Sequence, residues 1–259
     1  MGEAMLSSSF DSPADWRQRW SLLVEKIERV QSPVDSQALL ASLSHPARPL
    51  VLAFANAHAM NSMVASIPFF EAMRSADLVL RDGSGMATLF KLLRMQPGLN
   101  LNGTDFIPQL IRAFDGRRIA LFGTRDPYLA KGRLRVQQEL APHSQLIAAD
   151  GFLDVEAYAL LAVQHQPALI VLGMGMPRQE EVAARLRALL DFPCLIVCGG
   201  AIIDFLGGKT PRAPLWMQRV GLEWLFRLAL EPRRLFQRYV IGNPLFLTRA
   251  LRLASLNRR

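Results

Sequence analysis

The feature that most constrains this chain is a repeating unit. A short apolar run is followed by glycine or a small polar residue, and then by a stretch with helical spacing. The runs fall at residues 49–55, 76–80, 118–122, 145–148, 168–172 and 194–198. Strands that are apolar almost throughout are covered on both faces, and helices interposed between them supply the cover. The reading is an α/β fold, a Rossmann-like, doubly wound and mostly parallel sheet. Helices are expected over 16–30, from about 61 to 74, after Asp82 to about 94, and over 104–113, 128–140 and 154–164. Another is expected to begin near Arg178. The first 15 residues, with Ser7-Ser-Ser9 and Ser12-Pro13, read as disordered.

Ligands in open sheets of this kind bind beside the carboxyl ends of the strands. The polar residues just past each run are therefore the candidate site. They are Asn56, Asp82, the Asn102-Gly-Thr-Asp105 loop, and the segment from Gly173 to Glu180. Asp82 lies in Leu80-Arg-Asp-Gly-Ser-Gly-Met-Ala-Thr88, a glycine turn that opens a helix. Gly83 and Gly85 permit a backbone path closed to other residues, and the helix start aims N–H groups at the turn. A carboxylate there can take a proton from a hydroxyl. It can equally cap the helix, and taken alone the stretch favours the cap.

The chain is 259 residues long, enough for one large domain or one domain with an appendage. No run approaches the roughly 18 apolar residues of a membrane span, and the N-terminus lacks the pattern of a signal peptide. A cytoplasmic protein is the expectation. The two cysteines, Cys194 and Cys198, fall in one apolar run. On a strand they would stand ~13 Å apart, at roughly 3.3 Å per residue, too far for a disulfide. They read as reduced core thiols.

The net charge of +8 is unevenly placed. From Lys209 to Arg259 there are 11 Lys+Arg against 2 Asp+Glu, while residues 1–208 carry 19 against 20. The whole basic excess lies in the last 51 residues, ten of whose eleven cations are arginine. Such a tail suggests an anionic partner. It reads as amphipathic helices broken at prolines, with Trp216, Trp224 and Phe226 suited to a lipid interface.

Several familiar motifs fail. Gly83-Ser-Gly85 and Gly173-Met-Gly175 each begin a dinucleotide fingerprint, but Thr88 and Arg178 stand where the third glycine belongs. Gly208-Lys-Thr210 resembles the end of a phosphate loop, but Ile203 replaces the first glycine and Pro211 follows directly. The four histidines have no metal-ligand spacing, and His58 alone reads as structural. No metal and no cofactor are expected.

One ordered set of motifs does not fail. It comprises Asn56-Ala-His58, Asp82-Gly-Ser-Gly85, Gly103-Thr-Asp105, Gly173-Met-Gly-Met-Pro-Arg-Gln-Glu180, Gly199-Gly200 with Asp204-Phe205, and Gly208-Lys-Thr-Pro-Arg-Ala-Pro214. It continues through Gly221-Leu-Glu-Trp-Leu-Phe-Arg227 to Glu231-Pro232. In these, from about residue 49 to 239, the chain resembles the WecG/TagA/CpsF glycosyltransferase family. One departure is Asn100, where many members carry Arg.

The resemblance implies an inverting, metal-independent transfer of a sugar from a UDP donor to a polyprenyl-diphosphate-linked sugar, in surface polysaccharide or exopolysaccharide synthesis. The donor could be UDP-N-acetylmannosamine, its uronic acid, or UDP-glucose. Asp82 matches the family's proposed base. By motif position Arg212, Arg219 and Arg227 are candidates for the diphosphate, and Gln179 for the nucleotide pocket. Asn102 and Thr104 are candidates for the donor sugar or the acceptor. Asn56, Asp105, Gly173 and Glu180 complete the expected substrate-binding set. The division implied is an N-terminal extension with one helix (1–48), a Rossmann-like catalytic domain (49–208) and a basic helical appendage (209–259). The appendage would dock on the cytoplasmic face of the cell membrane, and a homo-oligomer is compatible with this. Nucleic acid is not expected as a partner. The rival readings are a nucleic-acid-binding protein using the arginine-rich tail and a catalytically inactive membrane scaffold.

Overall fold

The computed structural model describes residues 15–256; the expectation of disorder at the N-terminus falls almost wholly outside them. Seven strands form one sheet, parallel throughout: β1 (Ile27–Glu28), β2 (Leu50–Ala55), β3 (Leu78–Arg81), β4 (Arg118–Gly123), β5 (Gln145–Ala149), β6 (Leu169–Gly173) and β7 (Leu195–Cys198). Their spatial order is β1-β3-β2-β7-β6-β4-β5. This is the expected Rossmann-like α/β sheet with helices on both faces.

The strands show why the sequence reads that way. Along β2, Val51, Ala53 and Ala55 face one apolar cluster while Leu52 and Phe54 face the other. β6 does the same, with Ile170 and Leu172 on one side and Leu169 and Val171 on the other. Side chains alternate faces along a strand, so a strand covered twice must be apolar at every position. Both cysteines are buried and free, as expected.

Three boundaries differ from the expectation. The first helix stops at Lys26, because Ile27 turns to extended backbone and pairs with Val79 on the edge of the sheet. The helix expected to run to residue 74 is two helices, Ala57–Ala65 and Ile67–Ser75. Ser66 caps the second and Pro68 sits in its first turn. A helix at Pro33–Leu43 was not anticipated, although Ser32 and Asp35 form a reciprocal capping box at its start.

The tail forms helices Leu215–Arg219, Glu223–Leu230, Pro232–Phe236 and Gly242–Leu256, with a π-helical turn at Gln237–Ile241. A helix starts at Pro232 as expected, but the break between the first two helices falls at Gly221. Pro244 breaks nothing, because it sits in the first turn of the last helix, where proline is tolerated. The last helix does not stand apart from the body. Phe246, Ala250 and Leu253 are buried in the same cluster as Trp20, Met60 and Met63, and the Phe246 and Trp20 rings lie 5.4 Å apart. The N-terminal helix and the final helix thus share one core with the sheet. No helix among the described residues is long and apolar enough to cross a membrane.

Candidate active site

Neighbouring strands β3, β2, β7 and β6 end at one edge of the sheet, where the polar residues after them meet the tail. Asn56 follows β2. Its amide oxygen accepts the Ala59 N–H at 3.0 Å and so caps helix Ala57–Ala65. That bond fixes which way the amide points, and its nitrogen donates to Asp82 Oδ2 at 3.2 Å. Asp82 follows β3, its own N–H bonded to Ala55 O at 2.9 Å. The capping alternative falls here. Gly83, at φ +87°, is the N-cap of helix Ser84–Leu92, and no side chain caps that helix. The Asp82 carboxylate is turned instead to the cleft.

The turn that carries Asp82 is clamped from both sides. Asn100 Oδ1 accepts the Gly83 N–H at 2.8 Å. The buried Arg81 guanidinium donates to Gly83 O at 3.0 Å and Gly98 O at 2.9 Å. The role of Asn100 was not anticipated, because nothing in its own stretch marks it as the partner of a glycine 17 residues earlier.

Asp82 sits at the junction of two cavities. The first, about 360 Å³, lies between the Asn56 and Asp82 turns and the tail, and is walled by Trp224, Tyr239 and Phe246. The second, about 170 Å³, is bounded by Gly173–Met176, Gly199–Ile202 and Asp204. Asn56, Asp82, Arg227 and Arg238 line both. Solvent reaches Asp82 through the cleft, yet protein atoms surround it, and this desolvation raises its pKa. Asn56 and the guanidinium charges of Arg238, Arg227 and Arg81 pull the other way without reversing it.

Arg227 and Arg238 have no acidic partner among the described ion pairs, and each has its Nε buried without a hydrogen bond. Arg227 lies over the Phe205 ring, 5.2 Å from its centroid. Arg238 lies in the π-helical turn at Gln237–Ile241, a feature often found at functional positions. It escaped the sequence reading, although it follows Arg234 by one helical turn. Burial also acts on His58, in the first turn of helix Ala57–Ala65. Its pKa is lowered to about 4 by desolvation and by Arg238, so the imidazole is neutral.

The other expected residues divide. Thr104 and Gly173 line the second cavity, as does Gln179. Gln179 is buried, accepting the Gly200 N–H at 2.8 Å and donating to Glu180 at 2.8 Å. Glu180 lies behind it, out of the cavity, its pKa pushed up to about 8 by burial. Asn102 and Asp105 line none of the three cavities at this edge. Asn102 caps helix Gly103–Ala113 through the Asp105 N–H, and its amide donates to Asp105 Oδ2 at 2.8 Å. Asp105 takes a bidentate ion pair from Arg212, whose second nitrogen also reaches Gln218 at 3.0 Å. Arg212 is therefore a clamp between body and tail. Arg219 is exposed and lines none of the cavities. Among the described residues no group of three His, Cys, Asp or Glu could hold a metal ion.

The sequence profile of the glycosyl transferase WecG/TagA/CpsF family matches residues 23–259. The chain belongs to that family. It is 27% identical over 170 residues to an N-acetylglucosaminyldiphosphoundecaprenol N-acetyl-beta-D-mannosaminyltransferase of Bacillus subtilis (strain 168), a match covering 64% of this chain and 66% of the relative. Proteins of the same name from Bacillus spizizenii and Staphylococcus aureus are 28% and 21% identical over 190 residues. Those matches cover 71% and 72% of this chain, and 72% and 74% of the relatives. The family profile takes in β2 to β7 and the entire tail, so Asp82, Arg227 and Arg238 all lie inside the matched region.

Proposed function

We propose that the protein transfers N-acetylmannosamine from its UDP derivative to a saccharide carried on a polyprenyl diphosphate, with inversion and without a metal ion. The observation that carries this is Asp82. A carboxylate held by Asn56 stands between two cavities, faced by two arginines that have no acidic partner among the described ion pairs. The second cavity, with its glycine turns and arginines, suits the donor nucleotide. The first, with aromatic walls and Asn56, suits an acceptor sugar. The relatives' names favour N-acetylmannosamine over the uronic acid and glucose alternatives.

The chemistry then balances. Asp82, in its ionised form, takes the proton of the acceptor hydroxyl as the oxygen attacks the anomeric carbon. The new carbon–oxygen bond forms as the bond to the β-phosphate oxygen breaks, and the electron pair leaves on UDP. Arg227 and Arg238 meet that charge, as preorganised cations do in a dry site. Burial holds the carboxylate's pKa up, which suits a base that must hold a proton in the transition state. Gln179 and Thr104 contact the donor, and Glu180 positions Gln179. The tail places these arginines and presents exposed Leu215, Trp216 and Val220 beside Arg219 to an anionic membrane surface on the cytoplasmic side.

The test is UDP release from UDP-N-acetylmannosamine with an N-acetylglucosaminyl-diphosphate lipid, in the presence of EDTA. Asp82→Asn is expected to lower kcat by roughly 10²- to 10⁴-fold while UDP still binds. Loss of UDP binding as well would make Asp82 structural, and full activity in Asp82→Asn would remove it as the base. Loss of wild-type turnover in EDTA would refute the metal-independent mechanism.

A further inference from the structure

From Pro232 to Leu256 the tail is helical without a gap. Helix Pro232–Phe236 passes into the π-helical turn, and the turn into helix Gly242–Leu256. Phe236, Gln237 and Gly242, at the junctions, all have right-handed helical backbone. A π turn closes its hydrogen bonds one residue wider than an α-helix does, and the Gly242 N–H donates back to Gln237 O in this way. The extra residue changes which way Arg238 faces. At about 100° per residue, Arg238 would stand roughly 60–120° around a regular helix from Phe246, Ala250 and Leu253. Those three are buried in the core. The added residue takes out about 100° of that offset. Arg238 thus comes round to the side that packs on the body, where it lines the first and second cavities.

Little holds the Arg238 side chain itself. Its Nε is buried without a hydrogen bond, and the neighbouring Tyr239 ring lies 5.5 Å from its Cζ. Arg234, one turn earlier, is paired with Glu231, but Arg238 has no acid among the described ion pairs. Its place is therefore set by the backbone of the π turn. One side chain of the body reaches the end of that turn. Asn61, in helix Ala57–Ala65, donates from Nδ2 to Gly242 O at 2.7 Å, and its Oδ1 accepts from Arg249 Nη1 at 2.8 Å. Both ends of the amide are used, so its orientation is fixed. Asn61 lines neither the first nor the second cavity. The last helix does not depend on it for attachment, because Phe246, Ala250 and Leu253 already bury that helix against the core. Resting on the donor site proposed above, we infer that Asn61 is a positioning residue for Arg238. Its bond to Gly242 O fixes the end of the π turn, and the turn holds the guanidinium where the donor's diphosphate binds.

The experiment is calorimetric titration of the intact protein with UDP and with UMP. UDP carries the β-phosphate that UMP lacks, so the ratio of the two affinities reads the contacts made to that phosphate. Asn61→Leu, close in size to the wild type, removes both bonds. It is expected to lower the UDP-over-UMP ratio by about tenfold, the worth of one contact to a charged group, and to leave UMP affinity unchanged. Asn61→Ala, which adds no bulk, should do the same. Arg249→Met removes only the bond to the last helix and should leave the ratio unchanged. In an Arg238→Met background, where the ratio is already low, Asn61→Leu should lower it no further, as expected of two residues that act through one contact. A generally loosened fold would instead weaken UDP and UMP together, in either background. The inference is overturned if Asn61→Leu leaves the ratio intact, if Arg249→Met lowers it as far, or if the effect of Asn61→Leu persists without Arg238. No sugar transfer is measured. A wild type that binds UDP in this pattern but transfers no sugar would refute the proposed reaction and leave the role of Asn61 standing. A ratio lowered by Arg238→Met but not by Asn61→Leu would do the reverse, and a ratio unmoved by Arg238→Met would refute both.

Discussion

Asn56 does two things with one amide, and the two can be separated. Its oxygen caps helix Ala57–Ala65 and its nitrogen donates to Asp82. Serine caps a helix about as well as asparagine, so Asn56→Ser should leave stability within about 0.5 kcal/mol of wild type. A serine hydroxyl turned to the helix has nothing left for Asp82. The lost bond is one to a charged group, worth about 1.5–3 kcal/mol. At 3.2 Å it lies at the long end of the normal range, which argues for the lower figure, about tenfold in rate. The sign follows from which form the bond favours. Asn56 stabilises the ionised carboxylate against a burial that already raises its pKa. Without Asn56 the pKa rises further, and a base must be ionised to act. The acid limb of the kcat/KM profile should therefore move to higher pH, with a loss of about tenfold on the acid side and recovery at alkaline pH. UDP release measured from pH 5.5 to 9 gives the profile, and urea unfolding checks the stability. A uniform loss at every pH, or a limb displaced to lower pH, would refute the reasoning. Asn56→Ala should show the same profile and lose a further ~1 kcal/mol of stability with the cap.

Two further outcomes concern the body of the protein. Glu180 has a folded pKa of about 8 against an ordinary value of 4.5, so the folded state holds a proton that the unfolded state releases. Its contribution to stability is full below pH 4.5 and is lost as pH rises toward 8; Glu180→Gln should flatten the fall in melting temperature over pH 5 to 8, and parallel curves would show that the buried carboxyl does not titrate as described. Phe246→Ala removes a ring that is 3% exposed and packed on Trp20, and should cost about 3–5 kcal/mol in urea unfolding; a cost below 1 kcal/mol would mean that the last helix is only loosely attached.

What could be read from the sequence was whatever depends on neighbours along the chain. β2 to β7 were legible because each is a local apolar run, and the strand ends follow from them. β1 was not, because two residues, Ile27 and Glu28, continue the spacing of the helix before them and become a strand only by pairing with Val79 and Leu80. The same distinction holds in the site. Asn56, Asp82, Thr104, Gly173 and Gln179 sit just past strands or at helix starts, and the structure brings them to one edge. Asn102 and Asp105 occupy equally suggestive positions, but their polar groups are taken up by a cap and by Arg212. Among eleven cations of the tail, motif position could single out Arg227 but not Arg238. Which arginines face the cleft is set by the breaks at Pro232 and the π-helical turn, and those are settled by packing of the last helix against Trp20 and Met60.

That packing has a consequence for how the site is completed. The tail is tied at both ends, by the Arg212–Asp105 pair at its start and by the buried face of helix Gly242–Leu256 at its end. Between them, helices Leu215–Arg219 and Glu223–Leu230 contain no buried residue. They touch the body at Gly221, whose φ of +75° brings its carbonyl to Ser84 Oγ at 3.3 Å, and where an added Cβ would lie 3.0 Å from the Ser84 Cβ. Segments with few buried contacts open most readily. Amide exchange in 215–230 should therefore be faster than in 242–256 by at least about tenfold in the free protein. Anionic vesicles and UDP together should slow it, because Trp216 and Val220 then gain a lipid surface and Arg227 an anion. Trp216→Ser with Val220→Ser should remove the effect of vesicles and keep that of UDP. Removal of the whole tail from Pro211 would not test this, since it strips Phe246, Ala250 and Leu253 from the core. Equal protection of both segments in the free protein would mean that the arginines are held in place before any substrate arrives, and the site would then be complete in solution.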